Sequence, residues 1–218
     1  MSQPAFKSGE SPELHASLEA LFRADPDLRR ARQVCGALPD RRRPGGFEAL
    51  TMLIIEQQVS VASARAIWAR LISGIQPFSP ENVLAHDQET LRGFGLSKPK
   101  ARYCHCLAEA VVSGPLRLDA LETMPDDQVM AALTAVTGIG RWTAEVYLLF
   151  ALNRPDVFPA GDIALQAAAQ DVKGLKARPT EQQLVDLAER WRPHRGVAAQ
   201  LLWRYYGVTR NRADPVSI

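Results

Sequence analysis

Helix-start signals recur along this chain and favour one fold class. Capping residues stand one or two positions before a proline at four places: Ser11-Pro12, Asp25-Pro26, Ser79-Pro80 and Ser97-Lys98-Pro99. Ser and Asp accept hydrogen bonds from the N–H groups of a first helical turn, and proline fits that turn because it lacks an N–H of its own. The segments that follow space their apolar residues by three and four, and none alternates as a strand would. We therefore predict an all-α fold.

Length and hydropathy limit the number of domains and the cellular location that we expect. The 218 residues suffice for one large domain or two small lobes. No apolar run approaches the roughly 20 residues that span a bilayer. The segment Met1–Lys7 lacks the apolar stretch of a secretory signal. We expect a cytoplasmic protein without a membrane partner, associated with the nucleoid if DNA is its substrate.

The charge balance does not by itself indicate a nucleic-acid partner. The formal net charge is +2, so any basic footprint has to be local. Two clusters offer one, although solvated surface is the alternative for both. They are Arg29, Arg30, Arg32, Arg41, Arg42 and Arg43 in the first cluster, and Lys98, Lys100 and Arg102 in the second.

Cysteine usage indicates packing. The three residues Cys35, Cys104 and Cys106 cannot supply the four thiolates of an iron–sulfur cluster. Cys104 and Cys106 lie two apart in a helical pattern and so point to different faces. We predict reduced thiols, no iron–sulfur cluster and no required cofactor.

Pro- and Gly-rich breaks predict two lobes. Residues 41–46 are the expected linker, and Asn153-Arg154-Pro155 is the second expected crossing. The predicted division joins an N-terminal arm, 1–44, with residues 155–218 as one lobe. Residues 45–154 form the second lobe.

The segment Leu133–Tyr147 predicts a helix, a Gly-Ile-Gly turn and a second helix. Glycine permits positive φ and a close approach of the backbone to another surface. The start of the second helix offers N–H groups and a positive dipole end, which suit a phosphate. A side chain at Gly140 is expected to strain φ and to hold DNA off. The candidate DNA-binding residues here are Gly138, Ile139, Gly140, Arg141 and Thr143. An ordinary turn between helices is the alternative.

A carboxylate follows one helix later, at Asp162 in the segment Phe158–Asp162. Alone it is a common N-cap residue. Combined with the hairpin it indicates an enzyme that holds a DNA backbone and acts on one nucleotide.

Three stretches carry a family resemblance: Ile54–Ser60, Gly95–Tyr103 and Leu133–Asp162. On these the chain resembles the helix-hairpin-helix (HhH-GPD) DNA glycosylases, in particular the 3-methyladenine DNA glycosylase II group. The resemblance implies two helical lobes with a DNA-binding cleft, and a target nucleotide that swings into it. It also implies a monofunctional enzyme of base excision repair, monomeric, whose substrate is double-stranded DNA containing alkylated bases.

The resemblance makes Asp162 the catalytic residue. Breaking an N-glycosidic bond builds positive charge on the sugar, which a fixed carboxylate stabilises. An N-alkylated purine is already cationic, so its departure demands no strong general acid. The helix that starts after Asp162 favours a negative charge there. In relatives that also cut the strand, a lysine forms a Schiff base where this chain has Trp142.

The base pocket implied by the resemblance comprises Trp142, Val146 and Trp203. An indole face attracts a cationic base. For Trp142 the wall of the pocket is favoured over the alternative of a core residue, whereas Trp203 suits core and pocket equally. Val146 stands where some relatives carry an aromatic residue, and Gly161 where many carry a second Asp; both bear on substrate range. Gln58 is expected to fill the gap left by the flipped base, or else to be a polar residue at a helix end. Backbone carbonyls of Thr134, Val136 and Ile139 are expected to hold a monovalent cation.

Two alternatives remain at this point. One is a non-catalytic helix-hairpin-helix DNA-binding protein, which would need neither Asp162 nor a tryptophan-lined cleft. The other is a glycosylase for deaminated or oxidised bases.

Overall fold

The computed structural model describes residues 11–211, and within them it contains helices and no strand. This confirms the all-α prediction. The α-helices are α1 (Pro12–Ala24), α2 (Pro26–Cys35), α3 (Phe47–Glu56), α4 (Val61–Gly74), α5 (Pro80–Leu84), α6 (Gln88–Gly93), α7 (Lys98–Val112), α8 (Asp126–Thr134), α9 (Arg141–Phe150), α10 (Ile163–Lys173), α11 (Glu181–Ala188) and α12 (Arg195–Thr209). Short 3-10 turns cover Leu118–Ala120 and Glu189–Trp191.

The helix starts use the predicted capping residues. The side chains of Ser11, Asp25 and Ser79 each accept a hydrogen bond from a backbone N–H in the first turn of the helix that follows. Each of these helices carries a proline in its first two positions. Ser97 stands at the same place before α7 without a side-chain cap bond.

The described residues fall into two compact units. The first comprises residues 11–41 and 155–211, and the second comprises residues 42–154. The observed boundaries are 41/42 and 154/155, where the sequence predicted 44/45 and 154/155. The first unit contains α1, α2 and α10–α12, and the second contains α3–α9. Residues 1–10 and 212–218 of the predicted lobes, and with them Met1–Lys7, lie outside the described residues.

Each unit has its own apolar core. In the first, α12 packs against α2 and α10, and Leu28 and Trp203 have no exposed surface. In the second, α3 packs against α4, α7 and α9, and its residues Leu50, Leu53 and Ile54 are fully buried. Burying such side chains is the main source of favourable free energy for either unit.

A buried carboxylate joins the beginning of α2 to the end of α10. Asp25 is 2% exposed, and its Oδ1 accepts from the Asp27 backbone N–H at 3.2 Å and from Lys173 Nζ at 2.9 Å. Its Oδ2 accepts from Trp191 Nε1 at 3.0 Å. Lys173 also contacts Asp27. Since a buried charge is tolerated only when it is well paired, this network fixes α10 within its unit.

Two members of the predicted basic clusters are buried, so the surface interpretation is wrong for them. Arg41 is 5% exposed, and burial, together with repulsion from Arg204, lowers the pKa of Arg41 to about 10. In the same segment Arg43 donates its backbone N–H to Phe150 O at 3.0 Å. The predicted linker at 41–46 is therefore packed against helices on part of its length, while Arg42, Pro44 and Gly45 are exposed. The second buried member is Lys100, which is 8% exposed.

The three cysteines are free thiols. Cys35 and Cys104 are buried, and burial raises the pKa of Cys35 to about 11 and that of Cys104 to about 12. Both thiols therefore stay protonated at neutral pH and pack as apolar groups, as the sequence predicted. Within residues 11–211 no three His, Cys, Asp or Glu side chains lie close enough together to hold a metal ion. Across that same range, each helix is too short or too polar to cross a bilayer.

Candidate functional site

The predicted hairpin is present in the second unit. The last helical residue of α8 is Thr134, and α9 begins at Arg141. Backbone bonds close the turn between them, with Val136 N–H donating to Leu133 O at 3.1 Å and Ile139 N–H to Val136 O at 3.0 Å. Ile139 is 3% exposed. Its side chain thus anchors the turn in the core.

The two glycines of the turn differ in what they require. Gly138 has φ +99°, and a Cβ there would lie 2.2 Å from Tyr103 Cγ. Gly140 has φ −86° and is the N-cap of α9, and a Cβ at this residue would meet nothing within 4 Å. The expectation that a side chain at Gly140 strains φ is therefore wrong. Backbone conformation and packing both require glycine at position 138, while Gly140 leaves open space where DNA could approach.

The first turn of α9 lies beside this opening. Arg141 is exposed, and its Nε donates to Oε1 of the buried Glu145 at 2.9 Å. Thr143 is buried, and its hydroxyl accepts from Gln57 Nε2 at 3.1 Å. The Thr143 side chain thus serves the interior of the unit, so any DNA contact from this residue falls to its backbone. The helix start carries the partial positive charge that favours an anion.

Gln57 and Gln58 connect α3 to α4. Gln57 Nε2 also donates to Gly138 O at 3.1 Å, which ties this connection to the hairpin turn. Gln58 is exposed and has φ +57°, a conformation that non-glycine residues rarely adopt. Val59, next in sequence, is 39% exposed. A polar and an apolar side chain therefore extend together from a short, braced segment.

Lys100 holds the end of α3 from another side. The residue is buried, and its Nζ donates to Ile55 O at 2.7 Å. Burial lowers the pKa of Lys100. Lys100, like Arg41, is therefore not part of a solvated surface cluster as expected, whereas Lys98 and Arg102 are exposed. A lysine at the end of a helix satisfies a carbonyl that the helix itself leaves unpaired.

The three predicted pocket residues are not equally accessible. Trp142 is half-buried at the first turn of α9. Val146 and Trp203 have no exposed surface, and Trp203 is among the largest fully buried side chains. A base could touch either of them only after neighbouring groups moved. Of the two interpretations of Trp203, burial favours the core, and the assignment of all three residues to a base pocket stays a prediction.

Asp162 is held at the N-cap of α10 in the first unit. Its Oδ1 accepts from Leu165 N–H at 2.9 Å, and its own N–H donates to Pro159 O at 2.9 Å. The segment before it is fixed by Gln166 Nε2, which donates to Ala160 O at 2.9 Å. The Asp162 side chain remains partly exposed. Capping and catalysis are compatible here, because the cap bond orients the carboxylate without enclosing it.

The residues on either side of Asp162 are themselves exposed. A Cβ at Gly161 would meet Glu181 Oε2 at 3.3 Å, so a second carboxylate from α11 lies beside the position where many relatives carry an Asp. Ile163, the first residue of α10, is 63% exposed.

The carbonyls predicted to hold a cation lie at the end of α8 and in the turn. Val136 O already accepts from Ile139 N–H, which leaves its second lone pair. Thr134 Oγ1 donates to Met130 O at 2.7 Å, so this hydroxyl is engaged within the helix. Carbonyls in the last turn of a helix, such as that of Thr134, have no intrahelical partner, and the cation site stays a prediction.

Sequence reasoning missed the structural roles of three residues of this region: Gln57, Lys100 and Tyr103. All three lie in the stretches Ile54–Ser60 and Gly95–Tyr103, so the sequence points to their location but not to their partners. Local spacing carries no signal for a bond such as that from Gln57 to Gly138, whose partners are 81 positions apart.

Comparisons with known proteins agree on one family. The family model for the HhH-GPD superfamily of base excision DNA repair proteins matches residues 51–193. DNA-3-methyladenine glycosylase 1 of Schizosaccharomyces pombe is 34% identical over 163 residues, covering 72% of this chain and 71% of the relative.

Two solved structures are similar over nearly the whole length. The S. pombe 3-methyladenine DNA glycosylase in complex with abasic DNA has a TM-score of 0.79 and 29% identity, covering 91% of this chain and 98% of that one. A DNA-3-methyladenine glycosidase from Bacillus halodurans has a TM-score of 0.79 and 32% identity, covering 95% and 94%.

Proposed function

Because this chain belongs to the HhH-GPD superfamily of base excision DNA repair proteins, we propose that it is a monofunctional DNA glycosylase. Its substrate is double-stranded DNA carrying alkylated purines of the 3-methyladenine type. The observation that carries the proposal is Asp162, a partly exposed carboxylate fixed by its cap bond to Leu165.

The hairpin supplies the grip on the DNA backbone. A phosphate approaches the open side of Gly140, where a Cβ would meet nothing within 4 Å. The N–H groups and the dipole of the α9 start favour that anion. These contacts carry no sequence information, so they suit an enzyme that must search any duplex.

Asp162 acts at the bond between the sugar and the base. The base leaves with the bonding electron pair, and an N-alkylated purine thereby loses its positive charge. Positive charge builds at the sugar, where a fixed carboxylate stabilises it. Water then adds to the sugar carbon, and its proton passes to the carboxylate or to solvent. The half-buried indole of Trp142 is suited to attract the cationic base before it leaves.

The test is release of free base from methylated duplex DNA, measured beside duplexes carrying deaminated and oxidised bases. We expect release of 3-methyladenine and little release from the other substrates. Release confined to a deaminated or oxidised base would replace the proposed substrate class. Binding without release of any base would support a non-catalytic DNA-binding protein instead.

The expected absence of strand cleavage rests on Trp142. This residue stands where a Schiff-base lysine would be needed, and its indole cannot form a Schiff base. The buried Lys100 and the paired Lys173 are bound elsewhere. Borohydride added during turnover should trap no covalent protein–DNA adduct. An adduct formed in good yield would contradict the monofunctional assignment.

We also propose that the carbonyls of Thr134, Val136 and Ile139 hold a monovalent cation, which would add positive charge beside the hairpin turn. Replacing K⁺ by a large organic cation at constant ionic strength should then weaken DNA binding. Equal affinity in both salts would contradict the cation site.

Since one chain carries both hairpin and carboxylate, we propose that the enzyme acts as a monomer, on chromosomal DNA in the cytoplasm. A dimeric mass in solution would contradict the monomeric state.

A further inference from the structure

Gln57 links two features that the proposed function uses separately. It follows α3 directly, and its side chain leaves the α3–α4 connection to reach the hairpin. The amide Nε2 donates to Gly138 O and to Thr143 Oγ1, each at 3.1 Å. One side-chain amide therefore spans from the connection that carries Gln58 to the turn that would bind phosphate.

The acceptors of this amide are themselves fixed. Gly138 lies so close to Tyr103 that a Cβ would overlap the Tyr103 side chain. Thr143 is buried in the first turn of α9. Neither acceptor can follow Gln57 if the connection shifts, so the two bonds define a distance between the hairpin and the connection.

The connection is also braced on the α3 side. Lys100 Nζ donates to Ile55 O at 2.7 Å, and Val59 N–H donates to Glu56 O at 3.5 Å. Between these bonds Gln58 holds φ +57° and is exposed. A left-handed conformation at a non-glycine residue persists only where its surroundings impose it. Here Gln57, the residue directly before it, supplies the link to the rest of the unit.

We propose that Gln57 is a positioning residue that sets Gln58 at a fixed distance from the phosphate-binding turn. This inference rests on the proposed function. When the hairpin grips a phosphate, Gln58 is then in register to enter the base stack as the target nucleotide leaves it. Flipping a base is unfavourable, and a side chain that reaches the gap offsets part of that cost. A misplacement of about 1 Å can cost about 10²-fold in rate.

A purely structural role makes different predictions. If Gln57 only fastens α3 to α9, its loss changes folding and acts equally on all DNA substrates. If it positions Gln58, its loss acts on substrates in which the base must be extruded, and it acts through Gln58. Gln57→Ala removes the amide, and Gln57→Glu keeps the size while replacing the donor by a carboxylate beside Gly138 O.

The experiment is a double-mutant cycle in single-turnover excision of 3-methyladenine. The variants are Gln57→Ala, Gln58→Ala and the double variant, with wild type as reference. We expect each single variant to lose about 10- to 100-fold on fully paired duplex. The double variant should match Gln58→Ala within about twofold, because residues that act as one unit are not additive. Affinity for undamaged duplex should stay near wild type.

A second substrate separates extrusion from chemistry. The same lesion is placed opposite an abasic site or within an unpaired bubble, where extrusion costs less. Both single variants should recover most of the wild-type rate there. The control is Asn82→Ala, which removes another side-chain amide that donates to a backbone carbonyl, Pro77 O at 2.8 Å, in the same unit. It should match wild type on both substrates.

Each outcome decides a separate question. An inactive wild-type protein contradicts the proposed function itself. With an active wild type, the positioning role is overturned by a Gln57→Ala rate equal to wild type, by equal losses on paired and unpaired substrates, by additive losses in the double variant, or by an unaffected Gln58→Ala. If Gln57→Ala and Gln57→Glu are both unfolded at the assay temperature by circular dichroism, Gln57 is a structural clamp and the proposal is likewise overturned.

Discussion

Substituting alanine at the two hairpin glycines should separate backbone requirement from ligand access. Gly138→Ala adds a Cβ at φ +99°, which costs roughly 1–2 kcal/mol for an L-residue in that region. The new Cβ would also lie 2.2 Å from Tyr103 Cγ and 2.4 Å from Tyr103 Cβ. These atoms lie next to the α7 backbone, so rotation of the tyrosine ring does not relieve the overlap, and overpacking of this kind costs about 1–3 kcal/mol.

The expected loss of unfolding free energy for Gly138→Ala is therefore about 2–5 kcal/mol. For a chain of this size each kcal/mol shifts Tm by about 2–4 °C, which places the fall at about 4–20 °C. Gly140→Ala is the matched control. Its φ of −86° suits alanine and its surroundings are open. Reduced freedom of the unfolded chain favours alanine by about 0.4–1 kcal/mol, but glycine is the better N-cap of α9 by a similar amount, so Gly140→Ala should leave stability nearly unchanged.

Thermal unfolding followed by circular dichroism measures both variants, with urea unfolding as a second estimate of the free energy. A Gly138→Ala protein that melts together with Gly140→Ala, or above it, would refute the account of the turn. The result would mean that α7 can move away from Gly138 at little cost, and that the hairpin is not held in one conformation by Tyr103.

Gly140→Val should weaken binding to damaged and undamaged duplex alike and reduce the dependence of affinity on salt, with less effect on the rate at saturating enzyme; unchanged affinity of the folded variant would make the turn a structural corner only. Lys173→Met should cost about 3–5 kcal/mol of stability, because it leaves Asp25 buried without its cation, and a Tm equal to wild type would contradict this. Hydrogen bonding from Lys173 lowers the pKa of Asp27. The stability that this pair contributes is therefore present above the ordinary Asp pKa and is lost as pH falls through the lowered pKa. Stability measured against pH in acid should therefore fall less steeply in Lys173→Met than in wild type, and parallel profiles would contradict the linkage.

The parts of the fold that the sequence predicts well are those encoded locally. Ser11, Asp25 and Ser79 begin helices because capping and proline chemistry act within four residues. The hairpin follows from the same kind of signal, with Ile139 in the core and helices ending at Thr134 and starting at Arg141.

Tertiary partners could not be predicted in this way. Lysine and arginine usually lie at the surface, yet Lys100 and Arg41 are buried. Gln57 resembles any polar residue at a helix end until its bonds to the hairpin are known. Gly138 and Gly140 both flank Ile139 in the sequence, but only Gly138 has a positive φ. Residue type indicates what a side chain can do, whereas burial and partners 45 to 86 positions away decide what it does.

The most direct test of the account is single-turnover base release by Asp162→Asn on duplex DNA containing 3-methyladenine. Asparagine caps helices about as well as aspartate, so the bond to Leu165 N–H and the melting temperature should be retained. Without the carboxylate, charge on the sugar is no longer stabilised, and the rate should fall by about 10²-fold or more while DNA affinity stays near wild type. A folded Asp162→Asn protein that releases the base at close to the wild-type rate would show that Asp162 is only a helix cap and would contradict the proposed mechanism.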